Sequence, residues 1–203
     1  GAGNDSMTGG GGDDLYLVNA RDDVVVEVAG GGIDTVSTTT NWQLSANVEN
    51  LVMASGGSYR GTGNGLDNQM TGNKGNNTLS GAAGDDTLNG GLGNDVLTGG
   101  AGTDEFVFSQ ANAGNDTITD FNAVNGGDFE GDLLVFAGLE VGSFVYLGDA
   151  AFSGGSDNSE ARFDAGIDKL LIDVDGDGTA DFRLTLTGMT DASEISASDF
   201  LWS

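Results

Sequence analysis

Oxygen-bearing side chains recur in this chain at a spacing that could hold a metal ion. Asp86, Asp95 and Asp104 stand at a fixed interval of nine, and Asn77 occupies the same position one interval earlier. A glycine lies two positions before each of them, at Gly75, Gly84, Gly93 and Gly102. A large apolar side chain lies two positions after each, at Leu79, Leu88, Leu97 and Phe106. Carboxylates, side-chain amides and loop carbonyls offer oxygen, and the 203 residues contain no His and no Cys to offer nitrogen or sulfur. Such a donor set suits a hard cation, and calcium tolerates its mixed, flexible coordination best. The carbonyls of Gly84, Gly91, Gly93, Gly100 and Gly102 are candidate ligands beside the three aspartates and Asn77.

The elements that must position these groups follow from the same period. From Gly72 to Phe108 each unit of nine opens with a glycine-rich stretch of six, which permits the positive φ values of a tight loop. The rest of the unit reads polar, apolar, polar, as a short strand with one buried side chain. A single unit cannot bury its one Leu, so neighbours must stack. Two loop-plus-strand units make one full turn, which sets Asp86 beneath Asp104 and Asn77 beneath Asp95. Strands in a sheet lie about 4.8 Å apart, and carboxylates at that spacing repel unless a cation sits between them. A flexible Gly/Asn-rich linker would share this composition. It would not keep three columns in register through four units.

The repeat reads Gly-Gly-x-Gly-x-Asp-x-U-x, with U a large apolar residue, a known calcium-binding pattern. In this it resembles the repeats-in-toxin (RTX) family. That resemblance implies a parallel β-roll with calcium between its turns.

The N-terminal part keeps the frame more loosely. Residues 1–8 form a unit lacking its first glycine, and residues 9–17 and 18–26 follow, with Asp5, Asp14 and Asp23 at the ligand position. Asp5 and Asp23 stand two units apart, as a calcium shared across one turn requires. An insertion then displaces the next glycine loop to residues 30–32, ahead of Asp34 and Val36. The pattern running from Leu15 through Asp23, Glu27 and Asp34 to Val36 is similar to one common in RTX proteins, and implies a roll with wider turns. Residues 38–52 break the period with Trp42, Leu44, Val48, Leu51 and Val52, and residues 47–51 resemble a segment that joins RTX arrays. A loop or short strand covering one side of the roll is expected there, with Trp42 as packing. Asn68 and Asn77 lack the charge of Asp, so that end of the array is expected to hold little calcium or to stack its amides down the rungs.

After Phe108 glycine falls and aromatic residues rise, at Phe121, Phe129, Phe136, Phe144, Tyr146, Phe152 and Phe163. The expected division is a roll over residues 1–108, interrupted near 38–62, and a β-rich cap with a secretion-signal region over 109–203. Residues 115–121 and 131–134 resemble the segment that follows the repeats in serralysin-type proteins. Asp116, Asp120 and Asp132 there are further calcium ligands or solvated loop acids. Residues 161–163, 169–174 and 182–186 alternate as half-buried strands, an antiparallel meander. Its second turn, residues 173–181, resembles the start of an EF-hand loop, but Leu184 stands where the bidentate Glu belongs. Bound calcium and a plain Asp/Gly turn both remain open. The ending Asp199-Phe200-Leu201-Trp202-Ser203 is similar to that of serralysin-like proteins, which implies an uncleaved signal for type I secretion.

Composition limits the alternatives. The formal charge is −26, from 32 acidic against six basic residues. That argues against nucleic acid and an anionic membrane as partners and opposes compaction without counter-cations. Without His or Cys there is no His-based triad, zinc-binding His motif or thiol nucleophile. No apolar run reaches a membrane span. The chain opens in mid-repeat, so it is expected to be the C-terminal part of a longer protein whose catalytic domain, if any, lies upstream of Gly1. The expected function is a calcium-binding module of a secreted, extracellular or surface-bound bacterial protein. It would fold on calcium after export by a type I secretion machinery. The alternative is a module binding carbohydrate or another surface, in an adhesin or a polysaccharide-active enzyme.

Overall fold

A computed structural model of the chain describes residues 1, 3–109, 114–122, 131–138, 144–153, 159–167, 169–189 and 191–202. Phe129 and Ser203 lie outside the described residues. The first eight strands are β1 Ser6–Thr8, β2 Leu15–Val18, β3 Val24–Val26, β4 Thr35–Thr38, β5 Trp42–Gln43, β6 Asn50–Met53, β7 Arg60–Thr62 and β8 Gln69–Asn73. The regular array supplies β9 Thr78–Ala83, β10 Thr87–Gly91, β11 Val96–Ala101 and β12 Glu105–Phe108. Then follow β13 Thr117–Ile118, β14 Leu133–Phe136, β15 Val145–Tyr146, β16 Glu160–Asp164, β17 Lys169–Asp173, β18 Phe182–Leu186 and β19 Phe200–Trp202. Two single-turn 3-10 helices, Ala192–Glu194 and Ala197–Asp199, precede the last strand. No helix among the described residues is long and apolar enough to cross a membrane.

Successive strands alternate between two facing sheets. One runs β2, β4, β6, β8, β10, β12, β14, β19; the other runs β5, β7, β9, β11, β13, β18, β17, β16, β15, with β1 and β3 as a separate pair. The result is a parallel β-solenoid of about seven turns. Pairing in the regular array advances by two units of nine, as the period predicts. Leu88 lies between Met70 and Phe106, and Leu79 beside Leu97. All five of these side chains are fully buried. They form a single-file core between the sheets, continued by Val36 and Leu51 at one end and Ile118 and Leu134 at the other.

The strands of the array run longer than the short polar–apolar–polar segment expected, most of all in β9 and β11. Side chains alternate across a strand, so the first glycine of the next unit also faces inward: Gly72, Gly81, Gly90 and Gly99 are all buried. The core therefore alternates one Leu with one Gly. The second position of the unit then takes a left-handed conformation, at Gly10 (φ 99°), Gly91 (φ 92°) and Gly100 (φ 115°). Ala82 occupies that position with φ 93° and carries the strain of a Cβ there.

The stretch that breaks the period supplies rungs of the same solenoid. β5 pairs with β7, and β6 lies between β4 and β8. The step from Thr35 to its partner Asn50 is shorter than two units of nine. Parallel pairing also runs past Phe108, from β11 to β13 and from β12 to β14. The meander forms as expected: β16, β17 and β18 pair antiparallel, and Phe163, Leu170, Ile172, Phe182, Leu184 and Leu186 are buried. Its edge strand β18 then adds in parallel to β13, while β19 adds in parallel to β14. The last rung of each sheet is thus paired, and the edges move out to β19 and β15. Phe200 and Trp202 stack on Phe136 (6.4 and 4.9 Å between ring centroids), and Phe108 and Phe182 pack against the same ring.

Ala82→Gly should stabilise the folded chain by roughly 0.5–1 kcal/mol, because relief of a positive φ outweighs the added freedom of the unfolded chain. Thermal melts in saturating calcium should show a higher midpoint for the variant, whereas Gly91→Ala should lower it.

Candidate metal centre

Parallel stacking places the ligand-position residues in two columns, one at each bend of the roll. One bend carries Asn68, Asp86, Asp104 and Asp132, and the other carries Asn77, Asp95 and Asp116. In each column a carboxylate accepts the backbone N–H of the residue one turn earlier. Asp86 Oδ1 accepts from Asn68 N (2.7 Å), Asp104 Oδ1 from Asp86 N (2.9 Å) and Asp132 Oδ1 from Asp104 N (2.9 Å). On the other bend Asp95 Oδ1 accepts from Asn77 N (2.7 Å) and Asp116 Oδ1 from Asp95 N (2.8 Å). The first two turns repeat the arrangement, with Asp23 Oδ1 on Asp5 N (2.9 Å) and Asp34 Oδ1 on Asp14 N (2.8 Å).

One oxygen of each of these carboxylates is therefore used by the neighbouring turn, and at Asp23 and Asp132 the second oxygen also accepts backbone N–H groups, from Asn19 and Ala20 and from Asn122. Oδ2 of Asp14, Asp34, Asp86 and Asp95 is shielded from solvent and has no hydrogen-bond donor. An orphaned anionic oxygen is costly to bury. The inward glycines close against these groups: a Cβ on Gly81 would lie 2.1 Å from Asp86 Oδ2, and one on Gly99 2.1 Å from Asp104 Oδ2. Loop carbonyls of successive turns face the next loop. A Cβ on Gly102 would meet Gly84 O at 2.1 Å, and one on Gly93 would meet Gly75 O at 2.8 Å. Orphaned carboxylate oxygens beside closely stacked carbonyls are a donor set into which calcium fits.

The asparagine rungs solve the same problem without a cation. Asn68 Nδ2 donates to the carbonyls of Val48 (3.3 Å) and Glu49 (3.1 Å), and Asn77 Nδ2 donates to Gly57 O (3.1 Å). An amide supplies its own positive end where a carboxylate needs an ion. Gly75, in the Asn77 loop, also lacks the positive φ of Gly84 (115°), Gly93 (123°) and Gly102 (140°).

Burial pushes Asp86 and Asp116 up to about 7 and Asp95 and Asp132 up to about 6, against the amide hydrogen bonds that pull each of them down. Desolvation raises Asp104 as well. Neighbouring carboxylates add to the rise at Asp86, from Asp104, Asp67 and Asp85, and at Asp116, from Asp95. At the strand spacing and an effective dielectric near 20, two such charges repel by about 3 kcal/mol.

Other acids take structural parts. Asp120 accepts from Gly99 N (3.0 Å) and Gly100 N (2.9 Å) and ties down the loop start. A second ladder that the period concealed uses the residue before the ligand: Asp67 Oδ1 accepts from Asp85 N (2.8 Å), and Asp85 Oδ1 from Thr103 N (2.9 Å). In the meander turn both oxygens of Asp173 accept backbone amides, from Gly176 (2.8 Å) and Gly178 (2.7 Å). That is the bonding of a closed Asp/Gly turn, although Asp173, Asp175 and Asp177 still bring oxygens within 4.8 Å of one another. The ligand positions of the repeat did not include Glu27 and Asp34, which the structure gathers beside Asp14. Their spacing was visible, but the insertion had moved them off the nonapeptide frame.

Comparison with known proteins agrees with this geometry. The family model of the RTX calcium-binding nonapeptide repeat matches in four copies, at residues 1–25, 62–97 and 71–106. Endo-1,3-1,4-beta-glycanase ExsH of Rhizobium meliloti (strain 1021) is 42% identical over 65 residues, which cover 32% of this chain and 14% of that protein. The similarity is thus to a small part of a longer relative.

The raised carboxyls fix the sign of the pH response. Their folded values lie above the ordinary carboxylate range, so the folded metal-free chain binds protons more tightly than the unfolded one. This stabilisation is complete below about pH 4 and is lost as pH rises through about 6–7. With calcium the order reverses, because protons compete for the same oxygens. In chelator the β signal should therefore be stronger near pH 5 than near pH 8, and calcium titrations should show weaker binding near pH 5.

Proposed function

We propose that this RTX-type repeat chain is a calcium-operated folding module of a larger secreted bacterial protein. The single observation that carries the reading is the pair of buried carboxylate oxygens without donors in the most regular loops, Oδ2 of Asp86 and of Asp95. Asp86, Asp104 and Asp132 on one bend, and Asp95 and Asp116 on the other, are the proposed side-chain ligands. Asp5 with Asp23, and Asp14, serve the first turns. The carbonyls of Gly84, Gly91, Gly93, Gly100 and Gly102 complete the shells, and Asn77 marks the weak end of its column. In low calcium, repulsion among 32 acidic residues keeps the chain extended enough to be threaded through an export channel. At extracellular calcium, sites with dissociation constants of roughly 10⁻⁴ to 10⁻³ M fill, and binding free energy becomes folding free energy. The terminal stretch from Asp199 serves export before folding and then docks as β19. Any catalysis belongs to another part of the same polypeptide.

Circular dichroism during a calcium titration tests the reading. The β signal should be largely absent in chelator and appear with calcium; equal signal in both conditions would sink the proposal. In the same titration Asp95→Ala should raise the calcium midpoint about tenfold or more, a cost of about 1.4 kcal/mol per decade. Asn68→Ala should leave it within about twofold, because its rung closes with amides.

A second reading, binding of an acidic glycan, is supported by one feature. Strands β3 and β5 belong to different sheets. A cleft of about 440 Å³ is lined by residues of both, and by Arg21, Asn41 and Arg60 among others. Neither arginine has an ion-pair partner among the described residues, and they share the lining with Asp23 and the Trp42 ring. Two unpaired guanidiniums beside an indole suit a sugar carboxylate. Affinity electrophoresis through a polyuronate gel should retard the calcium-loaded chain, and Arg21→Ala combined with Arg60→Ala should abolish the retardation. Equal migration with and without polyuronate removes this reading and leaves the first intact.

A further inference from the structure

We infer that Asp14, Glu27 and Asp34 form a separate calcium site of three carboxylates in the first two turns, tighter than the nonapeptide loops. One oxygen from each of the three lies within 4.8 Å of the others. Glu27 and Asp34 are buried, and Asp34 has 0% exposure. The pair Asp14 and Asp34 contributes two of the buried oxygens that lack any donor.

The surroundings hold these groups in place without neutralising them. Asp34 Oδ1 grips Asp14 N (2.8 Å), and Glu49 Oε2 grips Asp34 N (2.8 Å), which fixes Asp34 and leaves its second oxygen for the cluster. Glu27 Oε2 accepts from Val28 N (3.0 Å), and Glu27 Oε1 accepts the hydroxyl of the buried Tyr16. Among the described residues no Lys or Arg pairs with any of the three. Gly9 closes the near side, where a Cβ would lie 2.2 Å from Asp14 Oδ2.

Two features separate this site from the repeat loops. Glu27 and Asp34 lie outside the residues that the nonapeptide family model matches, 1–25 in this part of the chain. Each regular step brings one carboxylate against the next, whereas here a third arrives from the segment between columns. Calcium affinity rises with the charge count of the site. The irregular, partly hydrogen-bonded oxygens suit calcium better than magnesium, which requires near-octahedral geometry. The inference does not rest on the loops filling with calcium.

Terbium, a luminescent stand-in for calcium, tests it on the full chain. Tyr16 touches Glu27, so terbium held there is excited through the phenol, while residues 62–106 contain no Tyr or Trp. The first equivalent of terbium should give tyrosine-sensitised emission that calcium displaces. Tyr16→Phe should lose that emission while equilibrium dialysis still counts the same number of bound calcium ions. Glu27→Gln combined with Asp34→Asn should lose the emission and bind one calcium fewer per chain, with the calcium-induced β signal retained. Asp95→Ala should weaken a loop ion and leave the emission unchanged, which separates failure of the loop reading from failure of this one. Emission that survives Tyr16→Phe, or an unchanged ion count in the double variant, overturns the site.

Discussion

Charge stacked on charge at strand spacing is the constraint on which this structure depends. Parallel pairing with a two-unit step sets like positions above one another, so the aspartates of a bend face one another across a single turn. The backbone resolves half of the problem, because one oxygen of each carboxylate accepts the amide of the neighbouring turn. At Asp86 and Asp95 the other oxygen has no partner within the chain. A cation between turns would supply what the polypeptide omits, and the proposed link between folding and calcium rests on that orphaned oxygen.

The thinness of the roll follows from the same geometry. Each unit of nine buries one large side chain and one glycine, because a Cβ at the glycine would strike the ligand aspartate of its own unit. The core is consequently a single file of Leu, Met and Phe, too slight to offset chain entropy without help. The C-terminal region provides part of that help. Phe108, Phe136, Phe182, Phe200 and Trp202 build the bulky aromatic cluster that the array lacks, and β18 and β19 close the last rung of both sheets.

Much of the repeat array was legible in the sequence. The columns of Leu79, Leu88, Leu97 and Phe106, and of Asp86, Asp95 and Asp104, kept their period through four units, and a fixed period translates directly into stacking. The contrast of Asn and Asp rungs was legible too, since only an amide carries its own donor. Other features were not. Residues 38–62 hold rungs β5, β6 and β7 without the nonapeptide pattern, because loops of other lengths change the step between rungs. Thr35 to Asn50 is a shorter step than the repeat's, and Trp42 to Gly61 a longer one. The extension of the strands into the next unit was hidden, since glycine carries no apolar label even when it is buried.

The sequence by itself determined the period, the identity of the stacked residues and the oxygen-only chemistry of the bends, because these depend on local order along the chain. Only the tertiary structure decided which carboxylates lack a donor, that Glu27 reaches Asp14 and Asp34, and that the final strand joins β14. Those outcomes depend on partners far apart in the chain, as Leu134 is from Phe200. The fold brings them together through sheet pairing, and no local pattern of spacing encodes that meeting.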